Sequence, residues 1–312
     1  MFDWYVDWDY EIAAAQLILA MFGMGAALTP QNFWGVFRER RAFLVGIACQ
    51  LLLVPAIIVI AIYTTDVGAK LAVGLALLAA MPGGAASNII VYFGRGHVPL
   101  SVSLTAVMTI VCLLTTPLLF SLLLPAEESM ELVMPHARVV LEMFAYLLVP
   151  LAIGMILFKN HPNVASKWSQ LAIRISFVLL GVVVAGSLSS GRVDLARHDL
   201  ATIATLIGLP LVALYITKVI SGLCGFPFTW AHTLAVETTQ KNINLAVLLV
   251  ISLFPDTTTA AGGLALFTVL AYGGASLSIV FVDACINRFL VNSGAQGPWG
   301  LIKLGRRDGL NQ

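Results

Sequence analysis

The stretch that decides the fold is Met81-Pro-Gly-Gly-Ala-Ala-Ser-Asn88, which interrupts an apolar segment of membrane-spanning length. Its proline removes a backbone hydrogen-bond donor, and its two glycines allow almost any backbone angle, so the stretch predicts a break in a helix. Lipid cannot satisfy the N–H and C=O groups that such a break releases. We therefore expect the break to be buried in protein or to line a water-filled cavity.

A second polar interruption, Glu237-Thr-Thr-Gln-Lys-Asn242, lies in another apolar segment towards the other end of the chain. It contains two ionisable side chains, Glu237 and Lys241, and ionisable residues at membrane depth indicate a functional site. Broken helices in the two halves of a membrane protein are typical of the binding site of a secondary transporter. The two breaks together therefore predict that function class.

The composition places both breaks in a membrane. Of the 312 residues, 59% are hydrophobic and only 11% are charged, and the mean hydropathy is +0.94. No Walker motif or dinucleotide-binding glycine fingerprint is present in the sequence, so we expect neither ATP-driven pumping nor an organic cofactor. The four cysteines have no paired spacing, so they predict neither a metal site nor a disulfide framework. No Ser/His/Asp set shares one depth, so an enzyme is not predicted.

Apolar stretches long enough to cross about 30 Å of hydrocarbon predict an all-α polytopic membrane protein with nine transmembrane helices, in one domain over residues 1–312. Most of the 17 Lys and Arg residues fall on the side of the C-terminus, which predicts a cytoplasmic C-terminus and an outside N-terminus in the cell membrane. Residues 1–10 are predicted as an acidic, aromatic segment at the outer interface, and residues 290–312 as a cytoplasmic tail. The predicted spans are 11–28, 41–63, 69–93, 97–124, 136–158, 168–190, 199–222, 229–253 and 259–287.

In order and spacing, the residues around the two breaks resemble the bile acid:sodium symporter family. The matching residues are Met81–Asn88, Arg95 with Gly96, Ser101 with Thr105, Gln50 with Pro55, Gly23–Gly25, and Glu237 with Asn242, Leu245 and Ala246. The resemblance implies inverted repeats that form a panel and a core, with two broken helices crossing in the core. It implies a core of spans three, four, seven, eight and nine, and a panel of spans one, five, six and part of span two.

The resemblance also implies two sodium sites. The first site would consist of Ser87, Asn88, Ser101, Thr105 and Glu237. Oxygen ligands of this kind, with one carboxylate, suit a hard monovalent cation. The second site would consist of Gln50, Glu237, the backbone carbonyls of Thr238 and Gln240, and a glutamine side chain where this sequence has Lys241.

Lys241 departs from the family, because an ammonium group only donates hydrogen bonds and repels a nearby cation. Three interpretations remain open at this point. Lys241 is a permanent tethered cation in place of the second sodium ion, or it titrates and couples protons to transport. In the third, the break is shifted by one residue, so that Gln240 is the ligand and Lys241 reaches towards water. The expected number of sodium ions is therefore one, or two.

The resemblance implies a small organic anion as substrate, such as a bile acid, pantoate or a similar carboxylate. Helix N-termini at the breaks can hold a carboxylate, which predicts Gly84, Ala85 and Asn242 as substrate-binding residues. Alternatives are a proton-coupled or uncoupled organic anion transporter, and a metalloid exporter of related fold. Apart from the substrate and the lipid bilayer, no nucleic acid and no obligatory protein partner is expected.

Three further polar residues lie near the predicted span ends. His97 and His232 are interpreted as interfacial residues, and Asp283 as an anchor of the last span. None of the three is assigned to a site by the sequence.

Overall fold

The computed structural model describes residues 3–29, 39–123, 136–190, 198–254 and 260–293. These residues form helices joined by short connections, and an isolated bridge pairs the backbones of Gly83 and Lys241. Two of the longer helices each contain a π-helical turn, one at Cys49–Leu53 and the other at Phe144–Leu148. The helices are α1 (Asp3–Gly25), α2 (Arg40–Thr64), α3 (Asp66–Lys70), α4 (Ala72–Ala80), α5 (Ala85–Phe93), α6 (Val98–Leu123), α7 (His136–Met143 continuing through Val149–Asn160), α8 (Pro162–Ser189), α9 (Leu200–Leu223), α10 (Phe228–Thr239), α11 (Ile243–Leu253) and α12 (Ala260–Asn292).

Six of these helices, in the part of the chain that the structure describes, are long and apolar enough to cross a membrane: α2, α6, α7, α8, α9 and α12. Many of their large apolar side chains are exposed, as lipid-facing side chains are, including Leu114, Leu122 and Val178. The prediction of an all-α membrane protein with several spans is therefore confirmed for the residues that the structure describes.

Both predicted breaks are present, and they contact each other. Helix α4 ends at Ala80 and α5 begins at Ala85, while α10 ends at Thr239 and α11 begins at Ile243. The N–H of Gly84 donates to the carbonyl of Gln240 at 3.1 Å, and the N–H of Asn242 donates to the carbonyl of Pro82 at 2.9 Å. Each break thus satisfies backbone groups that the other releases, as burial away from water requires.

Glycine is required where the two breaks touch. A Cβ atom added at Gly84 would lie 2.9 Å from the carbonyl oxygen of Lys241, which is closer than real side chains approach. A larger residue would push the two breaks apart and remove the hydrogen bonds between them. This contact fixes where the two broken helices cross.

The helices form two groups. Helix α1 packs against α7 and α8, whereas α4, α5, α6, α9, α10 and α12 pack among themselves and enclose the breaks. Helix α2 packs against α4, α6, α9 and α10 of the second group, which corrects the expectation that part of it belongs with the first group. The close packing depends on Gly46, where a Cβ atom would lie 2.8 Å from Leu104 of α6 and 3.0 Å from Leu234 of α10.

The two ends of the described chain differ from the predicted boundaries. Helix α1 begins at Asp3, so most of the predicted outer segment 1–10 is helical and continuous with the first span. Tyr5 explains this extension, because its buried ring packs on Gly186 of α8 and its hydroxyl lies 3.1 Å from Oγ of Ser187. At the other end α12 continues to Asn292, and residues 294–312 of the predicted tail lie outside the described residues.

Candidate functional site

The carboxylate of Glu237 is the centre of the first site. Glu237 lies near the end of α10 and is fully buried. Its Oε1 accepts hydrogen bonds from Ser87 Oγ at 2.6 Å and Ser101 Oγ at 2.5 Å, and its Oε2 accepts one from Thr105 Oγ1 at 2.8 Å. Ser87 comes from α5, and Ser101 and Thr105 lie on one face of α6 because they are four residues apart. Two helices thus supply hydroxyl groups to one buried carboxylate on a third.

Asn88 completes this set of oxygens. Its Oδ1 lies 2.7 Å from Ser101 Oγ and 3.4 Å from Thr105 Oγ1. All five residues that were predicted for the first site therefore lie together at the crossing of the broken helices. Hydroxyl, amide and carboxylate oxygens are the ligands that hard cations prefer, so this group has the chemistry to hold a sodium ion.

Gln50 lies beside the same carboxylate, in the π-helical turn of α2. Its Oε1 accepts a hydrogen bond from the N–H of Gly83 at 3.2 Å. A Cβ atom at Gly83 would lie 3.0 Å from Oε2 of Glu237 and 3.7 Å from Oε1 of Gln50, so the three groups surround one small space. π-Helical turns occur frequently at functional sites, and this one directs Gln50 towards the breaks.

Two other residues predicted for the second site make different contacts. The carbonyl of Gln240 accepts the hydrogen bond from Gly84, and its side-chain Oε1 accepts one from Ser276 Oγ of α12 at 3.2 Å. Thr238 is fully buried, and its hydroxyl has no partner among the described residues. The Gln240 side chain is thus hydrogen-bonded to α12.

Lys241 lies inside the protein, with only 1% of its surface exposed. Its Nζ atom has no hydrogen-bond partner among the described residues, and no ion pair joins it to Glu237 there. The ammonium lies close enough to Cys49, the neighbour of Gln50, for an electrostatic interaction. This burial contradicts the interpretation in which Lys241 reaches towards water.

Polar atoms without partners are concentrated around the second site. Four such buried side-chain atoms in the described part of the chain belong to this region, and leaving one unpaired costs about 1–3 kcal/mol. A cluster of this kind in a folded protein needs an explanation, such as water, an ion or a change of conformation during function. The four atoms are Gln50 Nε2, Thr238 Oγ1, Thr239 Oγ1 and Lys241 Nζ.

A cavity of about 390 Å³ lies between the two groups of helices. Side chains of α1, α8 and α12 form its largely apolar walls, and both breaks reach it through Gly84 and Asn242. Gly84 is the N-cap of α5, and Asn242 caps α11 by accepting a hydrogen bond from Leu245 N at 3.1 Å. Helix N-termini favour anions. Ala85 is the first residue of α5, but its side chain lies outside the described residues.

One buried polar cluster was missed by the sequence analysis. His232 is fully buried in α10, and its Nδ1 lies 2.8 Å from Oδ2 of Asp283 in α12. The other oxygen of Asp283 accepts a hydrogen bond from Nζ of Lys218 in α9. The interpretation of His232 as interfacial is therefore wrong, whereas Asp283 joins the last helix to α9 and α10. The signal was available, since both groups are ionisable, and such groups in membrane segments pair with one another.

Comparison with known proteins supports the function class. A model of the Sodium Bile acid symporter family matches residues 14–197, which is more than half of the chain. The ileal sodium/bile acid cotransporter of Homo sapiens is 29% identical over 235 residues, covering 73% of this chain and 66% of the human protein. The probable chloroplastic sodium/metabolite cotransporter BASS2 of Oryza sativa subsp. japonica is 26% identical over 280 residues, covering 88% of this chain and 65% of the rice protein.

A bacterial relative has a similar degree of identity. The uncharacterized sodium-dependent transporter YocS of Bacillus subtilis (strain 168) is 24% identical over 242 residues, covering 78% of this chain and 74% of that protein. The matched parts of the human and rice relatives fall just short of two thirds of their lengths. The family and these relatives are transporters rather than enzymes, and the membrane-length helices identify a multi-pass membrane protein. This chain belongs to the sodium bile acid symporter family.

Proposed function

We propose that this protein is a secondary transporter that moves a small organic anion together with sodium, and that the sodium ion binds at the first site. The observation that carries the proposal is the buried Glu237 carboxylate, towards which Ser87, Ser101 and Thr105 direct their hydroxyl groups at 2.5–2.8 Å. A buried carboxylate is expensive unless a cation or a full set of donors stabilises it. A sodium ion among these oxygens would neutralise the charge during transport.

The helix packing supports a mechanism of alternating access. We take α1, α7 and α8 as the panel, and the helices around the two breaks as the core, within one membrane domain over residues 1–312. Counting each broken helix once gives nine spans, and the basic residues place the N-terminus outside and the C-terminus in the cytoplasm. Rocking of the core against the panel would carry the crossing, with its bound ion, from one side of the membrane to the other.

The cavity between panel and core is the proposed substrate site. Its apolar walls suit the hydrocarbon body of a bile acid, pantoate or a similar carboxylate. The N-termini of α5 and α11 would hold the carboxylate beside Gly84, Ala85 and Asn242, through the positive ends of their helix dipoles. Since Gly84 and Asn242 also pair with the opposite break, substrate binding and the geometry of the crossing are coupled.

Lys241 is proposed to replace the second sodium ion as a tethered cation. Its ammonium is buried and lacks a partner among the described residues, which supports a mobile charge that meets other groups at another stage of the cycle. The energetic consequence is large. Each coupled charge contributes about 2.3 kcal/mol per 100 mV, so one fewer sodium ion lowers the attainable accumulation roughly 40-fold.

Proton coupling is the second candidate, and the same unpartnered, buried Lys241 favours it. The two mechanisms differ in what drives uptake. We would measure uptake of labelled taurocholate and labelled pantoate into proteoliposomes, with a sodium gradient or a proton gradient as the only driving force. Sodium symport through one site predicts sodium-driven uptake with a Hill coefficient of about 1. Uptake driven by protons and indifferent to sodium, or a Hill coefficient of about 2, contradicts the proposal.

A further inference from the structure

Three helices supply the first site, and a single turn joins two of them. Helix α5 carries Ser87 and Asn88, α6 carries Ser101 and Thr105, and α10 carries Glu237. Residues 94–97 form the turn between α5 and α6, with Arg95 in the left-handed region at φ 57°. Whatever holds this turn against α10 therefore sets the position of the hydroxyl groups relative to the carboxylate.

His232 and Thr233 of α10 provide that contact. The N–H of His97 donates to Oγ1 of Thr233 at 2.7 Å. A Cβ atom at Gly94 would lie 2.5 Å from Nε2 of His232, so the imidazole rests directly on the backbone of the turn. A Cβ atom at Gly96 would likewise lie 2.7 Å from the Thr233 hydroxyl. Two glycines thus bring the turn into direct contact with the helix that carries Glu237.

The opposite side of the imidazole is held by α12. Nδ1 of His232 lies 2.8 Å from Asp283, and since a carboxylate only accepts, Nδ1 carries the hydrogen. Asn287, one turn further along α12, donates from Nδ2 to the carbonyl of Gly94 at 2.6 Å. Lys218 of α9 binds the second oxygen of Asp283, which balances its charge. The imidazole is therefore clamped between Asp283 and the turn.

We propose that His232, oriented by Asp283, is a positioning residue that aligns α10 with the turn between α5 and α6, and so sets the geometry of the first site. Glu237 lies five residues after His232 on the same helix, about 7.5 Å along its axis. A shift of α10 by about 1 Å would stretch the hydrogen bonds to Glu237 beyond the range in which such bonds are strong. This inference rests on the proposed function, because it concerns the binding of sodium at that site.

The test measures the sodium concentration that half-maximally stabilises the purified full-length protein against thermal unfolding in detergent. His232→Leu and Asp283→Leu should each raise this concentration about tenfold. The double variant should be no worse than either single one, because both break the same contact. Ser278→Ala is the matched control, since Ser278 is exposed on α12 and its hydroxyl bonds only to its own helix, at Gly274 O.

Two amide variants separate positioning from general stability and keep the test valid if the leucine variants do not fold. His232→Asn keeps an N–H near the position of Nδ1 for Asp283 but loses the ring atoms that touch the turn, so it should weaken the sodium response less than His232→Leu does. His232→Gln places its amide one carbon further out and should behave like His232→Leu. Variants that melt at lower temperature with an unchanged sodium response would overturn this inference alone. An unsubstituted protein without any sodium response would overturn the proposed function as well.

Discussion

The residues proposed for the first and second sodium sites include the same Glu237 and meet where the broken helices cross. They differ in whether their buried polar atoms have hydrogen-bond partners. Both oxygens of the Glu237 carboxylate accept hydrogen bonds from the hydroxyl groups of the first site. By contrast, Gln50 Nε2, Thr238 Oγ1, Thr239 Oγ1 and Lys241 Nζ are buried without a hydrogen-bond partner among the described residues. The crossing thus combines a hydrogen-bonded carboxylate with a buried ammonium group that has no partner among the described residues.

Under the proposed function, one residue changes the ion requirement of the transporter without changing its fold. The backbone of the second break still pairs with the first break through Gln240 and Asn242. The side chain of Lys241, however, adds a positive charge where the family resemblance implies a ligand for sodium. Two like charges a few ångströms apart in a buried site repel each other strongly, so the lysine and a sodium ion exclude each other there.

The largest effect is expected from removing the shared carboxylate. Glu237→Gln should abolish the stabilisation of the protein by sodium and reduce sodium-driven uptake at least about 100-fold, because the only carboxylate in the first site is lost. Thermal unfolding in sodium, and in N-methylglucamine as its replacement, measures the first effect. A Glu237→Gln variant that keeps the sodium response of the parent would show that the cation binds elsewhere.

A smaller effect is expected from removing one hydroxyl of the first site. Thr105→Val is nearly isosteric and should raise the half-saturating sodium concentration about tenfold, since one oxygen ligand is lost. Thr109→Val is the matched control, because Thr109 lies one turn further along α6 and donates only to the Thr105 carbonyl at 2.7 Å. Equal sodium titrations for the two variants would remove Thr105 from the site.

Substitution of Lys241 tests whether its charge excludes a second sodium ion. Lys241→Gln restores an uncharged oxygen ligand, so the Hill coefficient for sodium in uptake should rise from about 1 towards about 2. Lys241→Met removes the charge without adding a ligand and should leave the coefficient at about 1. A Lys241→Gln variant with the sodium dependence of the parent would place the lysine outside the ion site.

The smallest effect is expected at Gln240. Its side chain binds Ser276 of α12 at 3.2 Å, so it faces away from the second site. Gln240→Ala should therefore change the half-saturating sodium concentration less than about twofold. A tenfold loss of sodium affinity in this variant would contradict the assignment of the Gln240 side chain to a contact with α12.

The sequence was sufficient to predict the two breaks, and it named five residues that the structure brings together at their crossing. Proline and glycine at residues 82–84 have strong local effects on the backbone, and hydroxyl residues four apart on α6 lie on one face by helix geometry alone. The family resemblance then supplied Glu237 as their partner, and the structure brings these residues together. These features depend on local chemistry or on spacing along one helix.

What the sequence did not predict depends on contacts between distant helices. The burial of His232 follows from the approach of α12 and the turn at Gly94, which no local pattern encodes. The helical start at Asp3 depends on the packing of Tyr5 against α8, and the placement of α2 depends on its close approach to α6 at Gly46. The burial of Lys241 is of the same kind, because its backbone pairs with Gly83 of the other break.

The most direct test of the account is an experimental structure determined in sodium at a resolution that identifies ions. We predict one ion, bound by the Glu237 carboxylate and by the oxygens of Ser87, Ser101 and Thr105, with the ammonium of Lys241 in the space beside Gln50. An ion coordinated beside Gln50 with Lys241 turned away, or an ion-free Glu237 under saturating sodium, would contradict it.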